Sequence, residues 1–123
     1  MISVPGFLLR RLYVNGSLKN ATGGFEFELR NSLGSGYSQK VWPLKVDGDE
    51  LQATGSYFIV DGKETAFSEV SPDNTFSLEV NKTITIWIDG VALEPGVHTI
   101  EMGFDVPGIG TMRFDFTDEV GDE

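Results

Sequence analysis

The chain has 123 residues, no cysteine and a formal net charge of −10. That length suits one domain, 1–123, which buries roughly two-thirds of its unfolded surface and holds a core without covalent staples. The lack of cysteine excludes a thiolate nucleophile, a disulfide framework and a cysteine-rich zinc site. The charge is lopsided, +1 over residues 1–60 and −11 over residues 61–123. Such a surface repels phosphate backbones and anionic lipid, which argues against nucleic acid and membrane as partners, and it complements a basic face on another protein.

In chain order, Met1 to Arg11 do not read as a signal peptide, because Arg10-Arg11 follows the apolar stretch and Pro5-Gly6 interrupts it. No run of 18 apolar residues follows, so no membrane span is expected, and the location is read as cytoplasmic. Strands are predicted near Leu8–Val14, Phe25–Asn31, Lys40–Val46, Ser56–Val60, Thr75–Val80, Thr83–Ile88, His98–Val106 and Thr111–Phe116. The signal is period-two alternation: Phe25, Phe27 and Leu29 interleave with Glu26, Glu28 and Arg30, and Ile84, Ile86 and Ile88 with Thr83, Thr85 and Trp87. Asn15-Gly16, Asp47-Gly48, Asp61-Gly62 and Asp89-Gly90 supply turns needing positive φ, and Pro72 and Pro95 preset others. No window of a dozen residues repeats at helical spacing. The expected fold is all-β: an antiparallel two-sheet β-sandwich, immunoglobulin-like or jelly-roll-like, with minimal helix and an acidic, frayed tail over 118–123.

Some strands carry apolar groups on both faces. Leu8, Leu9, Leu12 and Tyr13 do so in the first, Tyr57 to Val60 in another, and Trp87 opposes the isoleucines of its own strand. Two glycine-rich segments, Ser32 to Tyr37 and Val106 to Gly110, also set large apolar groups among flexible residues, as contact loops do. These features suggest an outer face covered by a loop of the same chain or by another subunit.

Catalytic groups are sparse. His98 is the single histidine and reads as a half-buried structural residue at the start of a strand. Glu26 and Glu28 share a strand face about 7 Å apart, the separation a glycosidase pair uses, yet alternating carboxylates on a wet face need no such role. Asp47-Gly48-Asp49-Glu50 lacks the ligand spacing of a calcium loop. No catalytic residue, no metal ligand and no cofactor site is assigned.

The segments Phe7 to Leu18, Gly24 to Asn31, Pro43 to Gly48, Leu93 to Ile100, Gly103 to Gly108 and Phe114 to Asp118 together resemble the small β-subunit of bacterial C-glycoside deglycosidases. That resemblance implies a non-catalytic subunit of a heteromeric carbon–carbon lyase acting on 3-oxo-C-glycosides of flavonoid-type aglycones. It also implies a larger barrel-type α-subunit as partner, holding a divalent metal ion, Mn²⁺, and the catalytic base. No catalytic residue of that family maps onto this chain, which alone would be inactive. The subunit interface is then expected at Leu9, Tyr13, Leu33, Tyr37, Trp87, Pro107 and Ile109. Two rival readings stay open: a stand-alone carbohydrate-binding module using Trp42, Trp87 and Tyr37 as a stacking platform, and a small enzyme using paired carboxylates that include Glu28.

Overall fold

The computed structural model describes residues 6–32, 34 and 36–121. Within them the chain is antiparallel β throughout, with helix confined to α1 (Gly6–Leu9) and to three single 3₁₀ turns, at Arg10–Leu12, Ala53–Gly55 and Phe67–Glu69. The strands are β1 (Lys19–Ala21), β2 (Gly24–Arg30), β3 (Gly36–Ser38), β4 (Lys40–Val41), β5 (Lys45–Val46) and β6 (Asp49–Glu50). They continue as β7 (Ser56–Val60), β8 (Lys63–Ala66), β9 (Phe76–Leu78), β10 (Thr83–Asp89), β11 (Gly96–Val106) and β12 (Gly110–Val120). One five-stranded sheet runs β1-β2-β10-β7-β8; another runs β12-β11-β5-β6, with β4 also on β11; β3 and β9 form a separate pair. The described residues thus form several antiparallel sheets with minimal helix, as the all-β expectation has it.

Alternation does what it predicts in the central strands. Phe25 pairs with Ile88, Phe27 with Ile86 and Leu29 with Ile84, so three apolar rows cross β2 and β10 in register. On the second sheet Ile100 pairs with Phe116 and Met102 with Phe114. All these side chains join one core, and the Phe27 and Phe116 rings, 5.1 Å apart at 61°, touch from one sheet to the other. Two-residue turns at Asp47-Gly48 and Asp61-Gly62 join β5 to β6 and β7 to β8. Both residues of each turn have positive φ, between 51° and 90°, as a tight hairpin requires.

Three expectations need correction. Leu8–Val14 is no continuous strand: Leu9 and Leu12 are buried from the helical turns Gly6–Leu9 and Arg10–Leu12, three residues apart on one side, and the buried Tyr13 follows in extended conformation with an isolated bridge to Leu29. Lys40–Val46 is two strands, both on β11, with Val41 opposite Phe104 and Lys45 opposite Glu101. Three residues, Trp42 to Leu44, thus face two, Met102 and Gly103, a bulge that accommodates Pro43, which has no N–H for the ladder. The last strand, predicted to end at Phe116, runs on through Val120, which is buried. Asp118 accounts for this by accepting hydrogen bonds from the Tyr13 hydroxyl at 2.5 Å and the Gly16 N–H at 2.8 Å. Burial first, then the bond to Asp118, pushes the Tyr13 phenol up to about 12. No helix among the described residues is long and apolar enough to cross a membrane.

Gly24 closes the β2–β10 register. A Cβ there would overlap the Ile88 carbonyl oxygen and meet the Trp87 ring at 3.0 Å, whereas a Cβ at Gly121 would meet nothing. Gly24→Ala is expected to lower stability by about 1–3 kcal/mol or more through forced backbone displacement, and Gly121→Ala by less than about 0.5 kcal/mol. Chemical denaturation of the two variants checks this, and equal midpoints would count against the tight register.

Candidate functional site: an apolar cleft between the sheets

A cleft of about 290 Å³ opens between the sheets. Leu29, Phe58 and Ile84 line it from the first sheet, and Val41, Met102, Phe104, Val106 and Met112 from the second. The β3–β9 pair adds Gly36, Tyr37, Ser38 and Phe76, while Leu9 and Leu12 reach it from the N-terminal turns. Burial is graded: Leu9, Leu12, Leu29, Phe58, Ile84 and Met102 are buried, Ile109 and Met112 are half-buried, and Tyr37 is 47% exposed. The cleft therefore opens at Tyr37 and Ile109 and deepens into the core.

Its two rims are the glycine-rich segments that stand out in the sequence. Gly34, Gly36 and Tyr37 belong to one, Val106 and Ile109 to the other. Bonds to Asp105 on β11 hold β3 there: the Gln39 N–H donates to the Asp105 carbonyl at 3.2 Å, and the Ser38 Oγ lies 2.9 Å from the same oxygen. Glycine suits the second rim because the β11–β12 turn needs positive φ at Gly108, 82°, and Gly110, 109°.

Among the described residues the lining contains no Asp, Glu, His, Lys or Arg. Asn31 and Ser38 in it are engaged within the protein. The Asn31 amide donates to the Gly34 carbonyl at 2.5 Å and accepts from the Gly34 N–H at 3.2 Å. Ser38 is held by the Lys40 and Asp105 carbonyls. No buried side-chain nitrogen or oxygen among the described residues lacks a partner. A surface of this kind buries apolar groups.

Of the expected interface residues, Leu9, Tyr37 and Ile109 line the cleft, and Pro107 is exposed in the turn at its rim. Leu9 and Tyr13 are 1% and 6% exposed, so neither presents an outer surface, which corrects their reading as residues of a two-sided strand. Tyr13 instead stacks on Phe116 at 3.7 Å. Trp87 is half-buried on the other face of β10, in register with Tyr57 and Glu26. Leu33 lies outside the described residues. Phe58, Phe76, Phe104 and Met112 also line the cleft. In the sequence they look like ordinary core, and only their proximity to the glycine-rich segments hints otherwise.

The three aromatic residues of the proposed sugar platform sit on separate elements. Tyr37 is at the cleft and Trp87 on β10, while Trp42 follows β4, with Lys40 Nζ 3.9 Å and Arg113 Cζ 5.0 Å from its ring centre. The Trp42 indole donates to Asp105 at 2.8 Å. The Thr111 hydroxyl and then that indole hold the Asp105 carboxyl below the usual carboxylate range. Glu26 and Glu28, opposite Trp87 and Thr85, do not line the cleft.

His98 is a clamp. Its Nδ1 lies 2.7 Å from Asp47 Oδ2 and its Nε2 lies 2.7 Å from the Glu94 carbonyl. Both partners are acceptors, so only the imidazolium, with two N–H donors, satisfies both. The Glu94 carbonyl first, then Asp47, raises its pKa above the ordinary histidine value. Asp47 also accepts from the Thr99 N–H at 2.9 Å, which with His98 lowers its carboxyl. Among the described residues no group of three or more His, Cys, Asp or Glu is placed to hold a metal ion.

A family model described as hydroxymethylglutaryl-CoA reductase, N-terminal domain, matches residues 8–121. No curated protein matches the chain. The family match overturns the resemblance to a C-glycoside deglycosidase β-subunit, and with it the assignments to a carbon–carbon lyase, to an accessory role in a lyase complex and to flavonoid glycoside metabolism. The segments behind that resemblance are strand-and-turn patterns, which many antiparallel domains share because pleat and hairpin geometry demand them. The barrel-type partner and its Mn²⁺ are implied by that resemblance alone and lose their ground with it.

The His98 clamp has a definite pH signature. Its folded pKa stands above about 6.5, so its contribution to stability is complete below that value and is lost as pH rises through the raised folded value. Asp47 acts oppositely, its contribution being lost as pH falls through its lowered folded value. NMR titration should find the His98 pKa above the free value, and Asp47→Asn should lower it. An unshifted His98 in both proteins would rule the clamp out.

Proposed function

Because the chain belongs to the hydroxymethylglutaryl-CoA reductase N-terminal domain family, we propose that it is a binding domain of such a reductase, taking an apolar group into the cleft while bond chemistry proceeds elsewhere in the protein. The observation that carries this reading is the lining: about 290 Å³ of opening with no charged side chain among the described residues and with Asn31 and Ser38 already hydrogen-bonded within the protein. Water in such a space finds few partners, so an apolar group displaces it favourably. A proton-transfer site needs a titratable group within reach of a bound molecule, and the phenol of Tyr37 at the mouth is the cleft's one such group.

The architecture supports this use. We read the two larger sheets as layers of a β-sandwich, immunoglobulin-like or jelly-roll-like, on the grounds that their buried faces join in one core. The cleft then lies where the separate β3–β9 pair meets β11 of the second sheet. A binding site between stable layers keeps its walls fixed, while its glycine-rich rims can adjust.

The neutral fluorophore N-phenyl-1-naphthylamine tests the proposal directly. It should bind saturably with a rise in emission. Met112→Trp and Ile109→Trp, which put bulk into the cleft and its mouth, should weaken binding at least tenfold while leaving the far-ultraviolet circular dichroism of the β-fold unchanged. No saturable binding, or binding indifferent to both substitutions in folded protein, would overturn it.

A further inference from the structure

We infer that the natural occupant of the cleft is an unbranched alkyl chain of about ten carbons carrying an uncharged end group, an inference that rests on the cleft being a ligand site. Size gives the first argument. At about 30 Å³ for each water-sized group, an opening of about 290 Å³ holds on the order of ten methylene-sized groups. The graded burial, from Ile84 and Met102 inside to Ile109 and Tyr37 outside, gives an opening at one side. A chain fills it from the closed end and leaves its terminus at the mouth.

The lining selects a saturated chain over a planar ring. Phe58 is already stacked on Phe67, 4.5 Å between centres, and on Phe76, 3.9 Å, so both faces of that ring are in use. The deep walls are otherwise Leu9, Leu12, Leu29, Ile84 and Met102, whose aliphatic surfaces favour methylene contacts, with Met102 able to adapt its rotamer. A planar ligand would gain little stacking there.

Charge selects the end group. Among the described residues no Lys, Arg or His lines the cleft, and the protein carries a net charge of −10. A carboxylate or phosphate at the mouth would meet no cation and would be repelled by the surrounding field. A hydroxyl, ester or amide avoids that penalty and can stay in water beside Tyr37.

Displacement of N-phenyl-1-naphthylamine by 1-hexanol, 1-octanol, 1-decanol and 1-dodecanol reads the chain directly. Affinity should tighten about three- to fourfold per added methylene and level off near ten carbons. Decanoate at pH 8 should compete at least tenfold more weakly than 1-decanol. Met112→Trp should bring the plateau to a shorter chain, and Ile109→Trp provides the same reading if the first variant does not fold. Fluorophore binding without chain-length dependence, or decanoate equal to decanol, overturns this inference and leaves the binding site standing. Absence of both fluorophore and alkanol binding overturns the two together.

Discussion

The pairing of Phe25, Phe27 and Leu29 with Ile88, Ile86 and Ile84 governs the rest of the molecule. A slip of β2 by one residue would turn its three apolar side chains to the opposite face, where Glu26 and Glu28 now stand opposite Trp87 and Thr85. Gly24 guards against that slip sterically, since the close approach of Ile88 and Trp87 leaves no room for a side chain there. With the register held, Phe27 meets Phe116 and Tyr13 stacks on Phe116, so one row of pairs places the second sheet and the N-terminal turns together.

From that centre outward, polar groups work mainly at the seams. Tyr13 and Asp118 join the N-terminal turns to β12. Arg10 does the same one turn earlier, donating to the Asp115 carbonyl at 2.8 Å and pairing with its carboxylate. His98 joins β11 to the β5–β6 turn and to the loop before it, and Asp105 joins Trp42 to Thr111. Asp118 illustrates the balance at such a seam. Burial acts to raise its pKa, but bonds from Tyr13, Glu119 and Gly16 outweigh that and hold the carboxyl low.

The central strands are legible in the sequence because burial on one face forces alternation, and β2, β10, β11 and the first part of β12 fall where alternation predicts. The strands β1, β6 and β8 escape because they are sheet edges. An edge strand such as Lys19-Asn20-Ala21 or Asp49-Glu50 is short and polar, as a strand protected from further pairing must be, so it leaves no apolar rhythm to read. The N-terminal turns escape for a different reason: two short turns over Gly6–Leu12 that bury Leu9 and Leu12 are shorter than any window in which helical spacing separates from strand spacing. The cleft was half legible. Its rims announce themselves by composition, but that residues near 36 and near 108 meet across the chain depends on β3 docking on β11, which no local pattern encodes.

A consequence follows for how binding and stability are divided in this domain. Every titratable side chain with a displaced pKa, Tyr13, Asp47, Lys82, His98, Asp105 and Asp118, lies outside the cleft lining. Displaced pKa values mark either active sites or structural ties, and here each coincides with a hydrogen bond or ion pair that links separate segments. The same fold therefore uses charge to fasten strands and turns and reserves an uncharged surface for its opening. Changes of pH should loosen the seams before they alter what the cleft can hold, because the forces acting in the cleft are apolar burial and dispersion, which carry no proton.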